Sequence, residues 1–279
     1  MFIVTGASGF IGRHVVAELA SRKLPVFAFC RTGIPDKSFP IAVEKVADYA
    51  SIPATQDGVL IHLAEPSRLG DFSEDKKILE RSRNLQQQLL GKQFGHVVYA
   101  SSAVVYGTQH TRPRRVGDPT EGKSDYARLK LSGEEITRGA GGTAIRIANT
   151  VGQGMSESNV LSHIMRQVDK NGPVRVQRLT PVRDFVNIRD VVRAIVSAAI
   201  MRKSGTLNAG TGKGLSVRDV VEAVLKLTVQ PDCKIIETDP APETVSHLVL
   251  DIEDTTATLG WRPEYDFSET LQSLMNRTD

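Results

Sequence analysis

The first twelve residues, MFIVTGASGFIG, constrain this chain more than any other stretch. Phe2, Ile3 and Val4 form a short apolar run of the kind a buried parallel strand shows. Thr5-Gly6 ends the run, and glycines follow at even spacing as Gly6, Gly9 and Gly12. Ile11, Val15, Val16, Leu19 and Ala20 then recur at helical spacing, which puts the glycines on a strand-to-helix turn. One glycine lets the chain reverse, one lets backbone N–H groups approach a pyrophosphate, and one lets the helix pack close to the strand. The helix N-terminus adds unpaired donors and positive potential. The turn, Gly6, Ser8, Gly9, Phe10, Ile11 and Gly12, reads as a nucleotide site.

Composition narrows the setting. A chain of 279 residues builds one large domain or two small ones. With 40% hydrophobic and 24% charged residues it has the make-up of a globular protein in water, and a net charge of +3 is too small to argue for a nucleic-acid partner. Cys30 and Cys233 give neither a disulfide framework nor a metal spacing, which suits a reducing compartment. No basic leader precedes the first strand and no apolar run reaches membrane-spanning length. The expectation is a cytoplasmic protein with no membrane partner and no metal.

Further elements follow in order. Val26 to Cys30 reads as a second strand, with Arg31 and Thr32 at its end. An acidic residue at this position accepts from an adenosine ribose and selects NAD, whereas an arginine suits the 2′-phosphate of NADP. Here no acid is found, and Arg31, with Arg13 after Gly12, favours NADP over NAD. Val43 to Val46 and Val59 to Ala64 read as further strands, and His62 within the latter reads as a hydrogen-bonded core residue. Glu74 to Leu90 carries a helical pattern, and Val97 to Ala100 a strand that runs into Ser101-Ser102.

Tyr126 and Lys130 lie four apart in DYARLKLSGEE, a helical stretch, and so share a face. A phenol with a pKa of roughly 10 exchanges protons poorly at neutral pH. A neighbouring ammonium stabilises its anion, which suits the pair to general acid–base work.

The glycine turn, the strand end SSAVVYG, the Tyr-x-x-x-Lys pair, RIANTVG from Arg146, RDFVNIRDV from Arg183, NAG from Asn208 and LGWRP from Leu259 together resemble the extended short-chain dehydrogenase/reductase family, in its epimerase/dehydratase group of nucleotide-sugar enzymes. The resemblance runs along essentially the whole chain. It implies an α/β fold, a Rossmann-type doubly wound parallel sheet with a smaller C-terminal substrate-binding domain. The expected division is 1–150 plus 183–209 for the cofactor domain and 151–182 plus 210–279 for the substrate domain. It implies catalysis by Ser102, Tyr126 and Lys130, with Lys130 also reaching the nicotinamide ribose, and cofactor contacts at Asp48, Leu63 and Ala64. Asn149 would meet the substrate, and Arg175 and Arg183 in a basic stretch would meet its diphosphate. Arg68 offers a further anion contact. A homodimer formed through the helix of Tyr126 is common in the family.

This chain also departs from the pattern. Glu65 and Pro66 replace small residues, Ile78 replaces an asparagine, Val151 a tyrosine, Gln153 a proline and Asn187 a histidine. Dehydratases of the family carry an Asp-Glu pair after the catalytic Ser or Thr; Ala103 and Val104 stand here and transfer no protons. Hydride transfer at one carbon remains, and a reductase of a nucleotide-linked 4-keto-6-deoxysugar leads. A nucleotide-sugar 4-epimerase, a reductase of a non-sugar ketone and a non-catalytic NADP-sensing regulator are the alternatives.

Overall fold

The computed structural model describes residues 1–33, 39–66, 77–168, 172–230, 232–239 and 246–276. The chain begins with β1 (Phe2–Thr5), α1 (Phe10–Ser21), β2 (Val26–Cys30), β3 (Val43–Lys45), β4 (Val59–His62), α2 (Ile78–Leu90), β5 (His96–Ser102), α3 (Asp125–Gly139) and β6 (Thr143–Ile147). It continues through β7 (Asn149–Val151), α4 (Val160–Val168), β8 (Val174–Val176), β9 (Val182–Asn187), α5 (Ile188–Met201) and β10 (Gly205–Ala209). The last elements are β11 (Gly214–Ser216), α6 (Val217–Leu227), β12 (Ile235–Glu237), β13 (His247–Leu248), α7 (Glu253–Leu259) and α8 (Phe267–Met275).

Seven parallel strands form the central sheet in the order β10-β6-β5-β4-β1-β2-β3. The order reverses between β1 and β4, and a crevice opens at the carboxyl ends of the strands at such a reversal. β1, β4 and β5 are apolar on both faces because helices cover both: Val4, Val59, Ile61 and Val98 are buried with Val15, Val16 and Leu19 of α1 and with the apolar face of α5. On the other face Ile3, Leu60, Val97 and Tyr99 pack with Leu89 and Leu90 of α2. This is the doubly wound Rossmann-type α/β fold expected.

A second apolar cluster gathers α4, β8, α6 and α8 through Leu161, Ile164, Val174, Val221 and Leu271. Two small sheets serve it, β12 beside β8, and β11, β9 and β13 in that order with β7 also paired to β9. Residues 248–261 were expected in this smaller unit. Leu248, Leu250, Ile252, Leu259 and Trp261 pack instead into the large cluster, where the Trp261 Nε1–H donates to the Asp190 carbonyl at 3.1 Å.

Strand limits shift by a few residues. The fourth strand stops at His62 rather than Ala64, and Ala64 lines the cleft instead of continuing the ladder. The expected helix start at Glu74 and the candidate contact at Arg68 lie outside the described residues.

Candidate active site

Backbone builds the phosphate end. Gly6 has φ +71°, a conformation that suits glycine. A Cβ on Gly12 would lie 2.0 Å from the Gly6 carbonyl oxygen, so α1 can start this close to the turn only without one. Gly9 caps α1 with no side-chain hydrogen bond, and the first turn holds no acidic residue. The first helical bond inside this end runs from the Arg13 N–H to the Gly9 carbonyl at 3.0 Å. The N–H groups of Phe10, Ile11 and Gly12 therefore have no carbonyl within the helix to bond. This cradle fits a pyrophosphate.

Beside it, a cleft of about 520 Å³ is lined by Arg31, Asp48, Ala64, Glu65, Ile78 and Asn84 among others. Cys30, the last residue of β2, points into the core at 1% exposure, and Arg31 after it lines the cleft. The Arg31 guanidinium lies over the Tyr49 ring, 5.3 Å from its centroid. The Ser8 hydroxyl donates to the Thr32 carbonyl at 2.9 Å, which ties the glycine turn to the loop after β2. Asp48 accepts from the Ala50 N–H at 2.9 Å and caps a short 3₁₀ turn, an engagement the sequence did not suggest.

The catalytic candidates meet at the end of β5. Ser124 caps α3 by accepting from the Ala127 N–H, which sets the helix start and places Tyr126 in its first turn. The helix is fastened from below by the Glu134–Arg146 ion pair at 2.7 Å and by the Ser101 hydroxyl, which donates to Glu134 at 2.5 Å. Lys130 Nζ lies 5.6 Å from the Tyr126 ring centroid. It donates to the Ala100 carbonyl at 2.7 Å, two residues before Ser102. Ser102 accepts from the Val104 N–H at 3.3 Å, which leaves its own hydroxyl proton to donate elsewhere.

One partner of Lys130 was not foreseen. The Glu65 carboxylate accepts from Lys130 Nζ at 2.7 Å, with both side chains under 10% exposed. Tyr99 donates its hydroxyl proton to the same oxygen at 2.6 Å, and Gln86 Nε2 donates to the other at 2.5 Å. Tyr99 fits beneath α3 because residue 133 is glycine; a Cβ there would sit 2.2 Å from the phenol ring. Burial is the largest influence and pushes the Glu65 carboxyl up, but Lys130, His62 and the Tyr99 hydrogen bond together outweigh it and hold it below the usual range. Burial likewise pushes Lys130 down, and Glu65, with smaller help from Tyr126 and Glu134, more than restores it. Burial and then Glu65 drive the Tyr99 phenol well above its usual range. The signal available in the sequence was the acid in place of a small residue after HLA, yet nothing local showed which way it would point.

His62 is a core residue, as expected. It bonds the Thr5 hydroxyl through Nδ1 at 2.7 Å, and burial pushes its pKa down to about 4, so it is neutral near pH 7.

The candidate substrate contacts are spread more widely. Asn149 opens β7 and is exposed. Arg183 and Arg175 sit in different small sheets. The Arg183 guanidinium donates to the Ser246 carbonyl at 3.0 Å and to its hydroxyl at 2.9 Å, joining β9 to the segment before β13. The backbone of Arg175 is bound by the Gln167 amide, which leaves its side chain at the surface.

A model of the NAD dependent epimerase/dehydratase family matches residues 2–210. The chain belongs to that family. A putative UDP-glucose 4-epimerase of Methanocaldococcus jannaschii is 27% identical, over 99% of this chain and 97% of the relative. A GDP-6-deoxy-D-mannose reductase of Pseudomonas aeruginosa is 27% identical, over 98% and 95%. The solved structure of MoeE5 in complex with UDP-glucuronic acid and NAD is 26% identical, covers 98% of this chain and 96% of its own, and has a TM-score of 0.83. The protein is thus an NAD(P)-dependent enzyme of the epimerase/dehydratase family. Among the described residues no helix is long and apolar enough to cross a membrane.

Proposed function

We propose that this enzyme reduces the keto group of a nucleotide-linked 4-keto-6-deoxysugar. The observation that carries the reading is the arrangement at the end of β5: Ser102 ends the strand, Lys130 bonds the Ala100 carbonyl two residues earlier and lies 5.6 Å from the Tyr126 ring centroid, and Ala103 and Val104 follow directly. The set serves proton exchange at one oxygen and lacks the acid–base pair that elimination of water needs.

The residues that would hold the cofactor are the backbone of Gly6, Ser8, Gly9, Phe10, Ile11 and Gly12, with Arg31, Asp48, Leu63, Ala64 and Lys130. When bound, the nicotinamide supplies or takes up the hydride. Tyr126 would give its proton to the carbonyl oxygen, while the Ser102 hydroxyl donates a hydrogen bond to the same oxygen. The Lys130 ammonium would stabilise the negative charge that develops on the phenol oxygen as its proton leaves. Arg31 beside the cleft supports NADP as the preferred form.

Relatives named for dTDP-6-deoxy-L-talose 4-dehydrogenase and GDP-6-deoxy-D-mannose reductase activity support a nucleotide-sugar substrate. A 4-epimerase is the second reading, favoured by the relatives named UDP-glucose 4-epimerase. Asn149, Arg175 and Arg183 stand as the proposed substrate contacts, with Arg183 required to leave Ser246 if it binds a diphosphate. We further place the protein in the cytoplasm as a homodimer, with units 1–150 plus 183–209 and 151–182 plus 210–279, residues 248–261 packing with the first.

The test is NADPH oxidation with GDP- and dTDP-linked 4-keto-6-deoxysugars, beside interconversion of UDP-glucose and UDP-galactose with NAD. Oxidation of NADPH by a keto sugar, lost in Tyr126→Phe with cofactor binding retained, is the expected result. Interconversion without added reductant selects the epimerase. Activity unchanged in Tyr126→Phe overturns the mechanism in both forms.

A further inference from the structure

Glu65 belongs at once to the cofactor cleft and to the catalytic lysine, since its residue lines the one and its carboxylate binds the other. We propose that Glu65 is the positioning residue for Lys130: its carboxylate, held by Tyr99 and Gln86, fixes the ammonium against the Ala100 carbonyl and aims it at the Tyr126 side of the site.

The geometry supports this from several directions. An ammonium has three donors, and two of them are directed by Glu65 and Ala100 at 2.7 Å each. That leaves one, in a direction fixed by the other two, for a hydroxyl of the cofactor or for the tyrosine. The carboxylate is itself oriented, with Tyr99 on one oxygen and Gln86 on the other. Gln86 Nε2 is in turn bonded to the Leu129 carbonyl at 3.0 Å, the residue before the lysine. The cluster therefore spans the chain after β4, α2, β5 and α3, and no member can turn without disturbing another.

The charge balance gives the arrangement a consequence. Besides Glu65, the ionisable groups that act on Lys130 are Tyr126 and Glu134 on its own helix and Tyr99 and His62 from the sheet, while Arg31 lies beyond His62. Glu134 is already paired with Arg146, and His62 is neutral near pH 7. Glu65 is thus the one negative partner in direct contact with Lys130 among the described residues. Without it, a buried ammonium faces only hydrogen-bonding groups, and desolvation favours loss of its proton.

The inference rests on the reading of Tyr126 and Lys130 as the reacting pair, and its test uses no substrate. The protein is labelled with lysine carrying ¹³C at Cε, the Lys130 resonance is assigned by its disappearance in Lys130→Met, and its shift is followed with pH. In the native protein the resonance should keep its ammonium position through the pH range in which the exposed lysines titrate. In Glu65→Gln its midpoint should fall by about 1.5 pH units or more, and Glu65→Asp should recover part of the difference. A midpoint in Glu65→Gln that matches the native protein overturns the proposal. If Glu65→Gln does not fold, the native titration alone decides, and a Lys130 that loses its proton before the exposed lysines do overturns it. A second readout is turnover in the assays above. Glu65→Gln should lose kcat progressively as pH rises through its lowered Lys130 midpoint, about tenfold one pH unit above that midpoint, with KM within about twofold. A uniform loss at every pH marks a merely structural role and overturns the proposal. A protein that turns over none of the sugar nucleotides fails the catalytic reading and leaves the titration result standing.

Discussion

The two halves of the site are built in opposite ways. The proposed phosphate end is contiguous in sequence, made of backbone N–H groups, and shaped by the missing side chains of Gly6, Gly9 and Gly12. The proposed reacting end draws Ser102, Tyr126 and Lys130 from β5 and α3, and side-chain bonds fix Lys130 to Glu65 from the chain after β4, and Glu65 to Tyr99 of β5 and Gln86 of α2. The first needs space and a helix terminus, so added volume harms it. The second holds charges out of water, so it is harmed when one partner is removed and the other is left buried.

That contrast sets the order of expected effects. Lys130→Met or Glu65→Ala should each cost about 3–5 kcal/mol of folding stability, since either leaves an unpaired buried charge. The double variant Glu65→Leu with Lys130→Met should regain much of the loss, because an apolar pair leaves no charge to desolvate. Urea unfolding measures both, and additive losses in the double variant would show that the pair is not coupled.

At the other end, Gly12→Ala should lower cofactor affinity by about a hundredfold, or about 3 kcal/mol. The added Cβ collides with the Gly6 carbonyl, whose position shapes the turn. Fluorescence titration with NADPH reads this directly. An affinity within threefold of the native value would mean that the turn yields, and that the contrast between the two ends is overdrawn.

His62 gives a pH signature. Its folded pKa is about 4 against 6.5 unfolded, so the unfolded chain binds the extra proton between those values. Stability from this group is complete above about pH 6.5 and is lost as pH falls toward 4. At about 1.4 kcal/mol per pH unit, the ceiling is roughly 3 kcal/mol. Glu65, also held low, loses its contribution in the same direction as pH falls through its folded pKa. Denaturant midpoints across this window should slope upward with pH, and less steeply in His62→Gln.

The smallest effect belongs to Arg31. It is exposed at the cleft, so Arg31→Ser should weaken NADPH binding by about tenfold, or about 1.4 kcal/mol, and leave NADH nearly unchanged. Equal losses for both forms would assign Arg31 to the adenine or to the fold rather than to a 2′-phosphate.

By itself the sequence determined the strand–turn–helix at the N-terminus, the parallel sheet, the second strand from Val26 to Cys30 and the helical pairing of Tyr126 with Lys130. Each rests on local rules: steric freedom at glycine, the apolar run of a strand covered on both faces, and a period of 3.6 residues. It also placed His62 in the core. It did not show that Glu65 turns inward to Lys130 across 65 positions, that Gly133 makes room for Tyr99, or that Arg183 binds Ser246. Nor did it show that Leu248 to Trp261 return to the large core. Those outcomes depend on which strands and helices become neighbours. A buried charge is stable only where packing supplies its partner, and packing is decided by the whole fold rather than by the residues on either side.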